Sequence, residues 1–526
     1  MSKTALKTTK LEASPTRPTA IVVGAGFGGI SLAIRLQAMG FQTTLLDNRD
    51  KPGGRAYVYE MGGFKFDGGP TVITDPDCLR ELFEVSGKEM DDYVTLLPVD
   101  PFYRLQWEDG EILDYNNDQD FLEEQIRSRN PDDVEGYRKF LAYSKELYRE
   151  GYEKLGTTAF LKMSQMFAAA PQLVRLRADR SVYKQVSKFV KDEKTRQLLS
   201  FQSLLVGGNP FATSAIYGLI HALERKGGVW FAHGGTGALV QGLVSLFKDI
   251  GGEVKLNAEV TDIHTEGDRV TGVTTADGWT MDADMVASNA DVVHTYKKLL
   301  RKHPRGQKYG KALTKKRHSM SLFVIYFGLD IPTPDHLKHH IILFGQRYKE
   351  LIAEIFGKGG KLSDDFSLYL HAPSVTDPSM SPEGKSAYYV LAPVPHLGHA
   401  DLDWDEIGPA YAQKILDYLE VHAIPGLNKH LEVMHTLTPF GFRDEMNSHL
   451  GSAFSVEPIL TQSAWFRPHN RDDVIPNMYI TGAGTHPGAG VPGVVGAAKA
   501  TAGVIAEDFA GELSKAKASG DWPANS

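Results

Sequence analysis

The stretch "IVVGAGFGGISLAIRLQAMGFQTTLLDNRDKPGGRA", Ile21 to Ala56, decides the fold of this 526-residue chain. The apolar, β-branched run Ala20 to Val23 predicts a strand, Ile30 to Met39 has helical character, and Phe41 to Leu46 predicts a second strand. A G-x-G-x-x-G spacing lies between the first strand and the helix. Glycines often mark only a tight turn, but this order of strand, turn, helix and strand favours a dinucleotide site.

Each glycine of the fingerprint has a predicted task. Gly24 permits the tight turn, Gly26 lets the backbone approach a pyrophosphate, and Gly29 lets the helix pack closely on the strand. The N-terminus of the helix then offers N–H groups and the positive end of its dipole to the phosphates. Asp47 lies about 20 residues further on, where a carboxylate can accept hydrogen bonds from ribose hydroxyls.

A second glycine pair selects between the two dinucleotides that the fingerprint allows, NAD and FAD. Gly53-Gly54 and the cation Arg55 directly follow the ribose-binding strand, and this extra backbone approach suits a long, extended FAD. The stretch resembles the FAD fingerprint of the amine-oxidase and phytoene-desaturase superfamily, and "FDGGPTVITDP", Phe66 to Pro76, resembles its continuation. The resemblance implies that Gly69 and Pro70 also contact the cofactor.

Composition sets the class of protein. The chain is long enough for two or more domains, and its 42% hydrophobic and 23% charged residues are ordinary globular values. Its 65 acidic residues against 57 basic ones argue against nucleic-acid binding. The single cysteine, Cys78, excludes an internal disulfide and fits a reducing compartment.

The chain is not expected to span a membrane, since no apolar run reaches the roughly 18 residues that a transmembrane helix needs. Residues 1–19 have no apolar core and are expected to form a disordered leader. Between Phe160 and Lys191, seven basic residues and one acid, Asp179, accompany many apolar ones. This pattern is typical either of a helix that enters a headgroup layer or of a solvated helix that packs on the core. Composition favours the second interpretation, and a lipid substrate would favour the first.

The middle section predicts a return to the cofactor domain. A glycine turn opens a helix at Gly234 to Leu239, and "DG" at Asp277-Gly278 predicts a hairpin. The predicted strands are Glu253 to Leu256, Val260 to His264, Arg269 to Thr275, Trp279 to Asp282 and Met285 to Ala287. In the superfamily this section inserts into the FAD domain, and the residue matching Val260 touches the adenine through its backbone. The alternative is a plain β-meander.

The C-terminal stretch predicts a second strand, loop and helix unit, with a strand at Met478 to Thr481, a glycine-rich loop at Gly482 to Gly493 and a helix at Val494 to Phe509. A helix N-terminus here would stabilise the negative charge of a reduced flavin. A separate NAD site is the weaker alternative, because "GAGTHP" lacks the fingerprint form. The expected cofactor contacts in this unit are Gly482, Gly484, Pro492, Gly493 and Val494.

Other chemistries have less support. The sequence contains no G-x-S-x-G, Walker A or zinc-type cysteine pair. His336, His339 and His340 could hold a metal, but no carboxylate and cysteine set completes a site. We therefore expect a surface histidine cluster and no bound metal.

Longer motifs narrow the resemblance. "SFQSLLVGGNPFATSAIYGLIHALE", "GSAFSVEPILTQSAWFRPHNRD" and "GAGTHPGAGVPGV" resemble those of the bacterial-type phytoene desaturases, and the similarity runs from about Ala20 to Phe509. The resemblance implies an FAD-dependent enzyme that binds membranes peripherally. It also implies successive double bonds introduced into phytoene, toward neurosporene or lycopene.

The expected fold class is α/β, a Rossmann-like FAD-binding domain of the glutathione-reductase and amine-oxidase type, interleaved with a mixed α+β substrate domain. The FAD domain is expected to be discontinuous and to comprise 20–110, 220–300 and 470–510. The substrate and membrane-associating domain is expected at 111–219 and 301–469, and a flexible tail at 511–526.

The substrate tunnel and the proton acceptor are less well defined. Oxidation by hydride transfer to a flavin needs an apolar tunnel that excludes water. Its candidate lining residues are Phe160, Phe167, Phe211, Phe454 and Trp465. Some relatives carry an Arg-Asp pair in the segment matching Ser164-Gln165, and neither residue ionises here. The sequence therefore assigns no catalytic residue: either a base lies elsewhere, or flavin, a delocalised cation and a water suffice.

The resemblance also implies the partners. They are phytoene and partly desaturated carotenes, a membrane surface facing the bacterial cytoplasm, and oxygen or a quinone as electron acceptor, because only one dinucleotide fingerprint is present. A homo-oligomer is left open. Two alternatives remain: a carotenoid isomerase or desaturase of another carotene, and a non-catalytic isoprenoid carrier resembling the GDP dissociation inhibitors.

Overall fold

The computed structural model describes residues 17–519, so most of the predicted leader lies outside the described residues. Nineteen strands and seventeen α-helices are described in this range. The strands are β1 (Thr19–Val23), β2 (Gln42–Leu46), β3 (Val58–Met61), β4 (Phe64–Asp67), β5 (Leu96–Pro98), β6 (Tyr103–Trp107), β7 (Ile112–Tyr115), β8 (Trp230–Ala232), β9 (Glu253–Lys255), β10 (Val260–Glu266), β11 (Arg269–Thr275), β12 (Thr280–Asp282), β13 (Met285–Ser288), β14 (Ser321–Leu329), β15 (His340–Phe344), β16 (Ser367–His371), β17 (Ser386–Val394), β18 (Leu431–Leu437) and β19 (Met478–Ile480).

The helices are α1 (Phe27–Ala38), α2 (Pro76–Glu84), α3 (Gln119–Arg129), α4 (Asp133–Leu147), α5 (Met163–Arg175), α6 (Val182–Val186), α7 (Glu193–Leu198), α8 (Leu219–Gly227), α9 (Thr236–Asp249), α10 (Val292–His294), α11 (Pro304–Leu313), α12 (Tyr348–Phe356), α13 (Trp404–His422), α14 (Leu427–His430), α15 (Pro439–Asp444), α16 (Val491–Asp508) and α17 (Ala510–Ala518). Among residues 17–519, none of these helices is long and apolar enough to cross a membrane.

The first sheet is parallel and has the order β19-β13-β1-β2-β9. The predicted strand, helix and strand at its centre are confirmed as β1, α1 and β2. Successive residues of a strand face opposite sides. Ala20 and Val22 accordingly pack with α1, α9 and α16, whereas Ile21 and Val23 pack with β10 and β11. The apolar run at the start of the chain is therefore buried on both faces, as in other parallel sheets.

Strands β10, β11 and β12 form an antiparallel sheet that covers one face of the parallel sheet. The predicted hairpin at Asp277-Gly278 joins β11 to β12, and Gly278 has a positive φ of 83°. The two interpretations of this section, a β-meander and an insertion into the cofactor domain, are therefore compatible. The strands form a meander, and that meander packs directly on β1.

The second sheet is mixed and has the order β18-β14-β17-β16-β15-β6-β7. Its neighbours are antiparallel except for the parallel pair β15 and β6. One face carries Phe323, Ile325 and Phe327 against α13. The other face carries Val324 and Tyr326, which pack in a separate apolar cluster together with residues of β4 and β6.

Two expected domain boundaries differ from the structure. β6 lies within the range expected for the FAD domain, yet it pairs with β15 in the second sheet. The expected tail 511–526 begins as helix α17, which is held to the core because Ala516 is buried and Leu513 packs against the apolar cluster of α1, α9 and α16. Both differences arise from long-range packing that local sequence patterns do not report.

Candidate active site

One cavity of about 480 Å³ joins the two sheets, which is within the size range of ligand sites. At one end it meets the glycine fingerprint between β1 and α1. Gly24 has a φ of +98°, and a Cβ atom on Gly29 would lie 1.9 Å from the carbonyl oxygen of Gly24. A side chain at position 29 would therefore push α1 off the turn, which is the close helix packing that the sequence predicts.

Asp47 follows β2 and is fixed by the backbone around it. The N–H of Ala25 donates to its Oδ2 at 2.6 Å and the N–H of Arg49 donates to its Oδ1 at 2.9 Å. Burial raises the pKa of Asp47, and these two hydrogen bonds act in the opposite direction. Since each carboxylate oxygen can accept more than one hydrogen bond, the side chain retains acceptor capacity for ribose hydroxyls.

Arg55 supplies a buried cation at the same end of the cavity. Its Nη2 donates to Ser448 Oγ at 2.9 Å, whereas its Nε is buried and has no partner among residues 17–519. Burial lowers the pKa of this guanidinium. A buried donor without an acceptor is costly, and a pyrophosphate oxygen would satisfy it. The residues at this end therefore fit a dinucleotide.

Helix α16 begins three residues earlier than predicted, at Val491, because Gly490, with a φ of +98°, is its N-cap. Pro492, Gly493 and Val494 consequently form its first turn and line the cavity. The N-terminus of an 18-residue helix thus faces the cavity, where its dipole favours negative charge.

The predicted cofactor residues fall into two groups. Those that line the cavity are Gly24, Gly26, Asp47, Arg55, Gly69, Pro70, Val260, Gly484, Pro492, Gly493 and Val494. Gly29 and Gly482 lie behind this lining, and a Cβ atom on Gly482 would approach Asn289 Oδ1 to 2.2 Å. Asn289 itself lines the cavity, and a Cβ atom on any of Gly24, Gly26, Gly28, Gly29 or Gly482 would lie within 4 Å of it, an arrangement that sequence analysis did not identify.

Of the five predicted tunnel residues, two line the cavity, Phe160 and Phe454. Phe167 does not, because its side chain is 70% exposed on the outer face of α5. Phe211 lies instead at a separate surface depression, and Trp465 contacts Phe466 and His469 rather than the cavity.

Helix α5 covers the cavity with one face and exposes the other. Met166 and Leu173, seven residues apart, line the cavity, whereas Phe167 and Val174, also seven apart, are each 70% exposed. Residues at this spacing share a helix face. The surface depression beside Phe211 is bordered by Arg177, Arg180, Lys184 and Lys188.

The cavity lining also includes an acid, on helix α8, that sequence analysis missed. Glu224, on α8, is fully buried and accepts a hydrogen bond from the hydroxyl of Tyr103 at 2.8 Å. Its Oε2 has no partner within the described part of the chain. Burial raises the pKa of Glu224 to about 8. The sequence around Glu224, "HALE" at 221–224, does not indicate a buried acid. The carboxyl becomes buried only when β6, which carries Tyr103, pairs with β15 in the second sheet.

The prediction that His336, His339 and His340 lie on the surface is wrong for two of the three. His336 is exposed, but His339 and His340 are buried at the start of β15 and meet His371 at the end of β16. The pairing of β15 with β16 brings His371 to them from 31 residues along the chain. Cys78 is half-buried, and burial raises the pKa of its thiol, so it is not an activated nucleophile.

Comparisons with known proteins agree with this geometry. A family model described as flavin containing amine oxidoreductase matches residues 27–506. A lycopene-forming phytoene desaturase of Paracoccus sp. is 61% identical over 94% of this chain and 99% of its own length. A neurosporene-forming phytoene desaturase of Rhodobacter capsulatus is 43% identical over 92% of this chain and 93% of its own length. The solved cyclohexylamine oxidase from Brevibacterium oxydans shares the fold, with a TM-score of 0.59 at 16% identity over 94% of this chain and all of its own.

Proposed function

We propose that this chain, which belongs to the flavin containing amine oxidoreductases and within them to the bacterial phytoene desaturases, introduces successive double bonds into phytoene. The cofactor is FAD. The observation that carries the proposal is that a single cavity is lined by the dinucleotide loops at one end and by apolar side chains at the other. The chain is an oxidoreductase of carotenoid biosynthesis.

FAD, when bound, supplies the hydride acceptor for this chemistry. The residues that would hold the dinucleotide are Gly24 and Gly26 through their backbone, Asp47, and Arg55 through its guanidinium. The N-terminus of α16 directs partial positive charge into the cavity, which would stabilise the negative charge of a reduced flavin held there. This placement favours oxidation of the substrate.

The substrate end of the cavity excludes water by being apolar. Its lining residues include Phe160, Leu173, Phe201, Leu205, Ile342, Phe344 and Phe454. An extended polyene has no polar groups to satisfy, so such a wall binds it by surface burial alone. The same wall would protect a positively charged, delocalised transition state from attack by water.

Each desaturation removes a hydride and a proton from neighbouring carbons, so the site also needs a proton acceptor. We infer that Glu224 takes this role in its ionised form. The other acidic residues that line the cavity within residues 17–519, namely Asp47, Glu259, Asp291 and Glu445, lie beside the dinucleotide loops or the meander. With a pKa of about 8, the Glu224 carboxylate is a stronger base than an ordinary glutamate.

A membrane surface is the proposed source of the substrate, and α5 is the proposed contact. Phe167 and Val174 expose apolar area on the side opposite the cavity, and Lys162, Arg175 and Arg177 are exposed beside them. A helix with this distribution can lie in the headgroup layer. Phytoene could then pass beneath α5 along Met166 and Leu173.

The test is to incubate the FAD-loaded protein with phytoene in liposomes, with oxygen or a quinone as electron acceptor, and to follow visible absorption. We expect a coloured product that requires FAD, and its absorption maximum counts the new double bonds and so separates neurosporene from lycopene. Flavin that stays bound but leaves phytoene unchanged would contradict the proposal and favour another carotene. Prenyl-chain binding without any flavin would favour the carrier.

A further inference from the structure

Three buried histidines meet in the second sheet where the interior strand β15 begins and its neighbour β16 ends. His339 directly precedes β15, His340 begins β15, and His371 ends β16. One ring nitrogen of each lies within 4.8 Å of those of the other two. His340 is the register partner of His371 in the antiparallel pair, so their side chains share the face of the sheet that looks toward the cavity.

The outward-facing nitrogens of two of these rings are anchored. His339 Nδ1 lies 2.6 Å from Thr376 Oγ1, and His340 Nδ1 lies 2.7 Å from the hydroxyl of Tyr369. Histidine metal ligands almost always have their second ring nitrogen held in this way, because the contact fixes the orientation of the ring.

The remaining ring nitrogens make only one hydrogen bond, and that bond joins two of the histidines. His339 Nε2 lies 3.0 Å from His371 Nε2, whereas His340 Nε2 and His371 Nδ1 are buried with no hydrogen-bond partner among residues 17–519. Two nitrogen ligands of one tetrahedral zinc ion, each about 2.0–2.1 Å from it, lie roughly 3.3 Å apart. The observed separation of the first pair is close to this value.

The rings are neutral, which is the form that binds metals. Burial lowers the pKa of His339 to about 3, and burial holds the pKa of His340 and of His371 well below the usual value. Asp377 follows Thr376, is buried, and its negative charge acts on His339. It would partly compensate the charge of a cation bound beside the rings.

We propose that His339, His340 and His371 bind one divalent transition-metal ion, with Zn²⁺ as the best match and a water in its fourth position. Imidazole ligands suit Zn²⁺, Cu²⁺ and Ni²⁺ and are poor ligands for Mg²⁺ and Ca²⁺. The site lies behind the cavity wall and does not rest on the proposed desaturase function.

The ion would tie β15 to β16 and fix a residue of the cavity wall. The Tyr369 hydroxyl, which contacts His340, also lies 3.0 Å from Thr71 Oγ1, and Tyr369 and Thr71 both line the cavity. A metal that orients His340 would therefore also orient Tyr369.

The experiment uses the full-length, tag-free, FAD-loaded protein. The protein is treated with a chelator, equilibrated with ZnSO₄, freed of excess ion and analysed for zinc by mass spectrometry. We expect about one zinc per chain and a higher Tm with zinc than after chelation, because an ion that binds only the folded state stabilises it. The Co²⁺ form should show the visible absorption of a tetrahedral site.

His340→Gln and His371→Gln should each lower zinc affinity by at least tenfold. His318→Gln is the matched control, because His318 is equally buried but lies outside the cluster. Zinc retained in both cluster variants would overturn the proposal. If those variants fail to fold, the zinc content and the Tm of the native protein test the proposal instead. A zinc content below about 0.1 per chain, or a Tm that zinc does not change, would show that the three rings form only a neutral hydrogen-bonded cluster.

Discussion

The two ends of the cavity are built in different ways. At the dinucleotide end, the structure depends on backbone shape: Gly24, Gly29 and Gly482 occupy positions where a Cβ atom would be strained or would collide. In the part of the lining outside the glycine loops, it depends on side chains such as Glu224 and Tyr103, which come from separate elements and meet only in the folded chain. A backbone-built site leaves a local signature in the sequence, and a site built from distant side chains does not.

The largest expected effect tests the backbone-built end. Gly26→Val should abolish FAD binding, because its branched side chain would fill the space where the backbone approaches the pyrophosphate and would press on Asn289, whose Nδ2 lies only 3.1 Å from a Cβ atom at this position. The measurement is flavin absorbance of the purified protein.

Gly503→Ala is the matched control, since it lies on α16 with open space around its Cβ position. It should retain FAD fully. Equal flavin content in Gly26→Val and in the native protein would refute the assignment of the pyrophosphate site.

The second prediction tests the part of the cavity that is built from side chains. Glu224→Gln should slow flavin reduction by phytoene roughly 100-fold or more, within the range that general base catalysis supplies. In the native protein the rate should rise with pH up to about 8, because only the ionised carboxyl accepts a proton. The variant should lose this rise.

Glu259→Gln removes a carboxyl that lines the cavity next to Val260, the predicted adenine contact, and should keep the native pH profile. If Glu224→Gln keeps that profile as well, Glu224 is not the acceptor, and the cavity would need only flavin, a delocalised cation and a water.

The third prediction concerns stability at the same residue. The pKa of Glu224 is raised from 4.5 to about 8 in the folded protein, so the folded state binds a proton that the unfolded chain releases. Its stabilising contribution is complete below pH 4.5 and is lost as the pH rises through about 8. Between these values the free energy of unfolding should fall by up to about 1.4 kcal/mol per pH unit on this account.

Glu224→Gln should flatten this dependence while the protein stays folded, which thermal unfolding across the pH range would show. If stability falls with pH in the same way in the native protein and in Glu224→Gln, burial does not keep Glu224 protonated.

The smallest expected effect concerns α5. Val174→Asp should weaken binding to anionic liposomes several-fold, because it places a charge on the exposed apolar face. Val421→Asp, on α13, alters a valine that is 75% exposed and should bind as the native protein does. Co-sedimentation at low salt measures both, and equal binding of the two variants would remove α5 from the membrane contact.

These regions also mark the limits of sequence analysis. The order of β1, α1 and β2, the meander and the glycine loops could be predicted because each follows from spacing within a short segment. Phe167 was misplaced because an aromatic residue on an amphipathic helix can face either the cavity or the surface. Glu224 and His371 could not be found, since β-sheet pairing over long sequence separations buries the first and brings the second to its partners.

The most direct test of the central claim is anaerobic mixing of the FAD-loaded protein with phytoene in liposomes while flavin and polyene absorbance are recorded together. The account predicts that the absorbance of oxidised flavin falls as a conjugated polyene appears, with one new double bond per flavin reduced. Flavin that remains oxidised while phytoene occupies the cavity would contradict it.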